Sequence, residues 1–149
     1  MCGIAGIVAD HRNLDQALKG MIASLHHRGP DNGSYKIYKN IGLAHTRLSI
    51  IDLSNSANQP MEDFEGLYSI VFNGEVYNYK ELRKKLLARG CKFRNQSDTE
   101  VLLNGYILDG LDFFKQIRGF YALGIYDKKR HSLLLARDPY GKKPIFYSF

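Results

Sequence analysis

Met1-Cys2-Gly3-Ile4-Ala5-Gly6-Ile7-Val8-Ala9 opens the chain, and the reading of this stretch decides the rest. Residues 3–9 form a short apolar run, which reads as a buried strand. A cysteine just before such a strand is held by a rigid element. Its small side chain favours removal of the initiator methionine, leaving a thiol and a free α-amine on one carbon. An α-amine has an unperturbed pKa of about 7.7–8.0 and can serve as the thiol's own base. Taken by itself, a lone cysteine is by default a small buried hydrophobe. The chemistry of Cys2 therefore depends on what the rest of the chain brings to it.

After this strand, Asn13 with Gln16 three residues on offers a helix N-cap, and Leu14, Leu18, Met21, Ile22 and Leu25 continue at helical spacing to about His26. His27-Arg28-Gly29-Pro30-Asp31-Asn32-Gly33 is loop chemistry. Strands are expected over 34–39 and 41–50, followed by a polar irregular stretch over 52–65. A strand over 68–72 is expected to end at Asn73-Gly74, a turn pair. Asn78 with Glu81, and Ser97 with Glu100, mark two further helix starts. The first of these helices stops at Gly90 and the second runs through Leu108, with a short helical piece over 111–116. Strands over 120–126, 132–137 and 144–149 close the chain. Strands come in runs with the later helices in a block between them, which argues for antiparallel sheets with segregated helices, an α+β fold.

The 149 residues make one domain's length, enough to bury about 70% of the unfolded surface. Net charge is +6, with clusters at Arg83-Lys84-Lys85, Lys128-Lys129-Arg130 and Lys142-Lys143. These lack interleaved stacking aromatics, so they read as solvated faces or as a surface for an acidic partner domain, not as a nucleic-acid site. Two cysteines are too few for a disulfide framework and fit a reducing compartment. With no signal segment, no apolar run of membrane length and no myristoylation signal, the expectation is a cytoplasmic protein without membrane attachment. The five histidines show no metal-ligand spacing, so no metal is expected. No glycine loop for phosphate is present, so no ATP is expected on this chain.

Three polar features stand out. Arg47, inside the apolar stretch Leu43 to Ile51, is either paired structurally or aimed at a substrate carboxylate. Asn73-Gly74 places an amide donor beside an exposed backbone N–H, which suits an oxyanion hole or is simply a turn. Asp98 beside Ser97 is a helix cap or an anchor for a ligand.

These segments together resemble the glutaminase domain of class II glutamine amidotransferases, N-terminal-nucleophile hydrolases, in the branch found in glutamine-hydrolysing asparagine synthetases. The resemblance runs in order through Met1 to Gly6, His27 to Asp31, Ala44 to Ile50, Phe72 to Tyr79, Ser97 to Val101, Gly119 to Ala122 and Arg137 to Pro144. It implies a four-layer αββα sandwich of two antiparallel sheets between helices. It also implies that residues 1–149 are one glutaminase domain, cut short at its C-terminal end, without the synthetase domain that follows it in the family.

By resemblance, Cys2 attacks the glutamine carboxamide, Asn73 and Gly74 hold the oxyanion, and Arg47 holds the α-carboxylate. Asp98 and Glu75 hold the α-ammonium, Leu48, Ser49, Ile50 and Ile51 line the pocket, and Arg28, Gly29, Pro30 and Asp31 form a loop over the substrate. The implied partner is an ATP-dependent synthetase domain in cis or in trans; ATP and magnesium belong to that domain, and this one needs no cofactor. The alternative is a non-catalytic glutamine-binding or interaction module that kept the pocket.

Overall fold

Ile41–Arg47 (β3) is buried at every position, as only a strand with neighbours on both edges and layers on both faces can be. The computed structural model describes residues 2–9, 13–49 and 54–148. Gly3–Val8 (β1) and Asn32–Tyr38 (β2) flank β3 in an antiparallel sheet of order β1-β3-β2. A second antiparallel sheet has the order β4-β5-β6-β7, from Met61–Glu62, Tyr68–Val76, Gly119–Asp127 and Ser132–Arg137. Helix α1 (Leu14–Leu25) covers the outer face of the first sheet, with Leu18 against Gly42. Helices α2 (Tyr79–Ala88) and α3 (Asp98–Asp109) cover the second.

The alternation of each strand divides its side chains between two cores. Ile70, Phe72 and Val76 of β5, with Leu123 and Ile125 of β6, meet Leu82 and Leu86 of α2 and Val101, Leu102 and Leu103 of α3. On the opposite face Val71 and Tyr126 meet Ile41 and Leu43 of the first sheet. The layers are thus helix, sheet, sheet, helix, and the α+β sandwich expected from the sequence is the fold observed. A single run of Gly110–Gln116 in 3₁₀ form links α3 to β6, where the short helical piece was expected.

Three strand expectations fail, the first being the strand over 41–50, which ends at Arg47 and leaves Leu48 and Ser49 outside it. β5 does not stop at Asn73-Gly74 but continues to Val76, because β6 pairs with it throughout, from Tyr68↔Asp127 to Val76↔Gly119. Gly74 is needed for a different reason than a turn: a Cβ there would lie 2.3 Å from the Phe120 carbonyl oxygen. A glycine inside a strand marks such a close backbone approach. The expected last strand, 144–149, is absent over its described part, 144–148. The Asp138 carboxylate gathers the N–H groups of Tyr140, Lys142 and Lys143 into a turn. Beyond it Phe146 is 90% exposed, so the apolar alternation finds no face to bury.

The helix starts divide as well. Ser97 Oγ accepts from Glu100 N at 3.3 Å, as its cap signature implies. Asn13 makes no such bond, and Asn78 spends its amide on Gln116 O and Arg118 N instead. Buried Glu100 accepts the N–H groups of Arg94 and Asn95, which shapes the turn leading into α3. Glu100→Ala leaves both donors without a partner in the interior. It is expected to cost about 3 kcal/mol, read as a drop of about 10 °C in Tm by calorimetry.

Candidate active site

Four separate elements bring their ends to one cleft of about 250 Å³, lined among others by Cys2, Arg47, Leu48, Asn73, Gly74, Glu75 and Asp98. Cys2 stands at the entrance to β1. Its Sγ lies 3.4 Å from the Leu48 N–H, which donates to it, and 3.8 Å from the Leu48 carbonyl oxygen. The backbone beside it is pinned, since Gly3 N–H donates to Thr46 Oγ1 and Thr46 Oγ1 donates to Leu25 O. Thr46 therefore ties the start of β1, next to Cys2, to the end of α1.

Arg47 ends β3 at 6% exposure. Its Nη1 donates to Ser54 O at 2.8 Å and to Asn58 Oδ1 at 2.6 Å, both neutral oxygens. These two bonds fix the direction of the guanidinium, whose planar fork has the geometry to meet a carboxylate. His45, two residues earlier on the same face, is fully buried and does not line the cleft. Burial holds its pKa down to about 4; the Phe72 backbone opposes this and the charge of Arg47 adds to it. The imidazole therefore stays neutral near pH 7.

Asn73 is 8% exposed and projects from the β5 face that looks toward the first sheet, the same face as Val71. Along β5, N–H groups point alternately to the two edges. Phe72 N–H goes to Gln59 Oε1 and Val76 N–H to Asp98 Oδ2, both on the edge away from β6. The alternation gives Gly74 N–H that same direction, into the cleft. An amide side chain and a backbone N–H thus converge there, the donor pair an oxyanion hole requires. The aim of the pair comes from extended strand backbone, not from the turn expected at this point.

Asp98 is 5% exposed at the first turn of α3. Burial raises its pKa from 3.8 to about 6; the backbone N–H groups of Val76, Thr99 and Asp98 itself oppose this, and the nearby charge of Glu75 pushes further up. One carboxylate oxygen is engaged by Val76, and exposed Glu75 stands close by, so the pair brings negative charge to the cleft wall and Arg47 brings positive charge.

The remaining sequence candidates lie beside the cleft. Gly29 presses against β3, where a Cβ would come within 2.4 Å of the Thr46 backbone. Pro30 bridges to Arg47, Asp31 N–H donates to Arg47 O, and Asp31 Oδ2 accepts from Ser49 N–H at 2.7 Å. In this conformation the loop from Arg28 to Asp31 buttresses the end of β3 and does not line the cleft, and neither does Ser49. Ile50 and Ile51 fall outside the described residues. Sequence reasoning missed Gln59, Tyr77, Thr99, Phe120 and Lys143, which also line the cleft. No motif signals Gln59, which belongs to a stretch read only as polar and irregular. Among the described residues no three His, Cys, Asp or Glu side chains gather as a metal site, and no helix is long and apolar enough to cross a membrane.

Comparison with known proteins places the chain in a family. The chain is 40% identical to asparagine synthetase [glutamine-hydrolyzing] 1 of Bacillus subtilis, over 99% of this chain and 24% of that protein. It is 36% identical to putative asparagine synthetase [glutamine-hydrolyzing] 2 of Methanocaldococcus jannaschii, over 99% of this chain and 32% of the relative. The chain thus spans about a quarter to a third of the length of these relatives. Among solved structures, glutamine phosphoribosylpyrophosphate amidotransferase from B. subtilis, complexed with ADP and GMP, matches with a TM-score of 0.76 at 20% identity, covering 95% of this chain and 38% of that one. At that identity the likeness speaks for the fold. Residues 1–149 match the family described as glutamine amidotransferase domain, and the chain belongs to that family.

Proposed function

We propose that the domain hydrolyses glutamine to glutamate and ammonia through a γ-glutamyl thioester on Cys2, and that the ammonia feeds an amide-forming, ATP-dependent synthetase domain in cis or in trans. One observation carries the reading: a thiol, two oxyanion donors, a guanidinium and a carboxylate converge on one cleft from four elements. The substrate's α-carboxylate meets Arg47, and its α-ammonium meets Asp98 with Glu75 beside it. These remote groups supply binding energy that orients the side-chain amide. The amide carbonyl then lies against Asn73 and Gly74, with its carbon before Cys2 Sγ.

Removal of Met1 frees the Cys2 α-amine, which takes the thiol proton as sulfur attacks the carbonyl carbon. The tetrahedral oxyanion is held by Asn73 Nδ2 and Gly74 N–H. On collapse the α-ammonium returns the proton to the leaving nitrogen and ammonia departs. Water, deprotonated by the same amine, attacks the thioester, and glutamate leaves as the thiol re-forms. ATP and magnesium are assigned to the synthetase partner. The unbridged state of Cys2 and Cys91 supports a cytoplasmic location. The test is an ammonia-release assay on glutamine, with intact mass to establish loss of Met1 and labelling of Cys2 by a glutamine-like electrophile. A processed, folded protein that releases no ammonia and takes no label would sink the reading.

Asp98 carries a pH-dependent prediction. Its folded pKa, near 6, lies above its unfolded value of 3.8, so the stability linked to this group is full below pH 3.8 and is lost as pH rises through 6. Above that pH the buried charge costs the fold up to about 3 kcal/mol. Asp98→Asn, which keeps an acceptor for Val76 N–H, is expected to gain about 1–2 kcal/mol in urea unfolding at pH 8. The same change should raise KM for glutamine about 10- to 100-fold, because the substrate ammonium loses its charged partner. In the unaltered protein KM should fall as pH rises through 6, and in the Asn variant that dependence should vanish.

A further inference from the structure

Gln59 sits in the wall of the cleft at 6% exposure, two residues before β4. The β4–β5 register pairs Met61 with Ile70 and Glu62 with Ser69, and continued by two residues it would set Gln59 opposite Phe72. The main chain does not make that rung, since the Gln59 carbonyl oxygen accepts from Ser34 Oγ. The side chain takes its place: Oε1 accepts from Phe72 N–H at 2.6 Å. Its other end reaches where no main-chain rung could, with Nε2 donating to Thr99 Oγ1 on α3 at 3.2 Å.

The consequence lies on the cleft edge of β5, whose N–H groups there belong to Phe72, Gly74 and Val76. The first is held by Gln59 and the third by Asp98 Oδ2. The oxyanion segment is therefore fixed at both ends, and both ties run to the first turn of α3, through Thr99 and Asp98. We propose that Gln59 is a positioning residue, whose amide sets the separation between the donors at Asn73 and Gly74 and the ammonium site at Asp98 to the length of a glutamine side chain. The inference rests on the glutamine-hydrolysis reading above. Arg47 and Asp98 keep their own anchors at Ser54, Asn58 and Val76 when the Gln59 amide is lost. The reacting amide shifts against Cys2 while the α-groups stay held, so the loss falls on kcat and not on KM.

The test measures kcat and KM on the full chain with glutamine, with kcat expressed per Cys2 labelled to completion by a glutamine-like electrophile. Gln59→Leu is expected to lower kcat about tenfold, with KM changed less than about threefold. Thr99→Val removes only the α3 end of the tie and should lower kcat about fivefold, while Thr99→Ser, which keeps the hydroxyl, should recover most of it. A merely structural role would lower Tm and the labelled fraction and leave kcat per labelled site unchanged. An active parent protein with Thr99→Val equal to it in kcat overturns this inference alone. A parent protein that hydrolyses no glutamine overturns it together with the reading beneath it.

Discussion

Cys2→Ala is expected to reduce glutamine hydrolysis at least about 10⁴-fold while the protein still folds and still binds glutamine. The size follows from the role, since without sulfur there is no thioester, and the α-amine alone has only water to activate. Folding should survive because the thiol is only half-buried and its polar contacts, to Leu48 at 3.4 and 3.8 Å, are weak sulfur ones. On the proposed reading binding should survive because the α-groups are held by Arg47 and Asp98 and not by Cys2. Glutamine at about 100 times its Kd should therefore stabilise the variant by about 2.7 kcal/mol, seen as a rise in Tm. Retention of Met1, forced by an N-terminal extension, should silence catalysis to a similar degree with the thiol intact. An alanine variant retaining a tenth of the parent rate would place the nucleophile elsewhere.

The way this site is built explains which parts of it could be read in the sequence. β3 and β6 announce themselves as apolar runs because burial on one or both faces leaves a local pattern, whereas β1, which reads as a buried strand, and β7 are only part-buried, with Val8 and Leu135 exposed. The sequence pattern ends β5 at Asn73-Gly74 because propensity is local, whereas pairing with Gly119 to Asp127 is not. The two residues still stand out, since an amide beside a glycine is informative in either backbone. Arg47 looked anomalous on its strand, yet what aims it, Ser54 O and Asn58 Oδ1, lies in a loop whose sequence carries no periodicity. Gln59 was invisible for the same reason: its partners Phe72 and Thr99 are 13 and 40 residues away along the chain. Chemistry-bearing side chains are legible one at a time; the groups that aim them are set by tertiary contacts.

Asn73→Ala is expected to lower kcat about 10²- to 10³-fold with KM changed less than about threefold, because the amide acts on charge that develops only in the transition state. Gly74 is a poorer probe of the same hole. Any side chain there meets the Phe120 carbonyl at 2.3 Å, so a loss of activity could reflect parting of β5 from β6. Asn73 carries no such risk: its side chain points into the cleft, and β5 keeps its full pairing from Tyr68 to Val76 when it is shortened. Tm should fall by only a few degrees, and the pH profile should keep its shape, since a neutral amide does not titrate. Asn73→Asp separates electrostatics from size. It preserves the volume but replaces a donor with a carboxylate facing the nascent oxyanion, so it should be slower than Asn73→Ala. If instead the aspartate variant is the faster of the two, the amide is filling space and the oxyanion lies elsewhere.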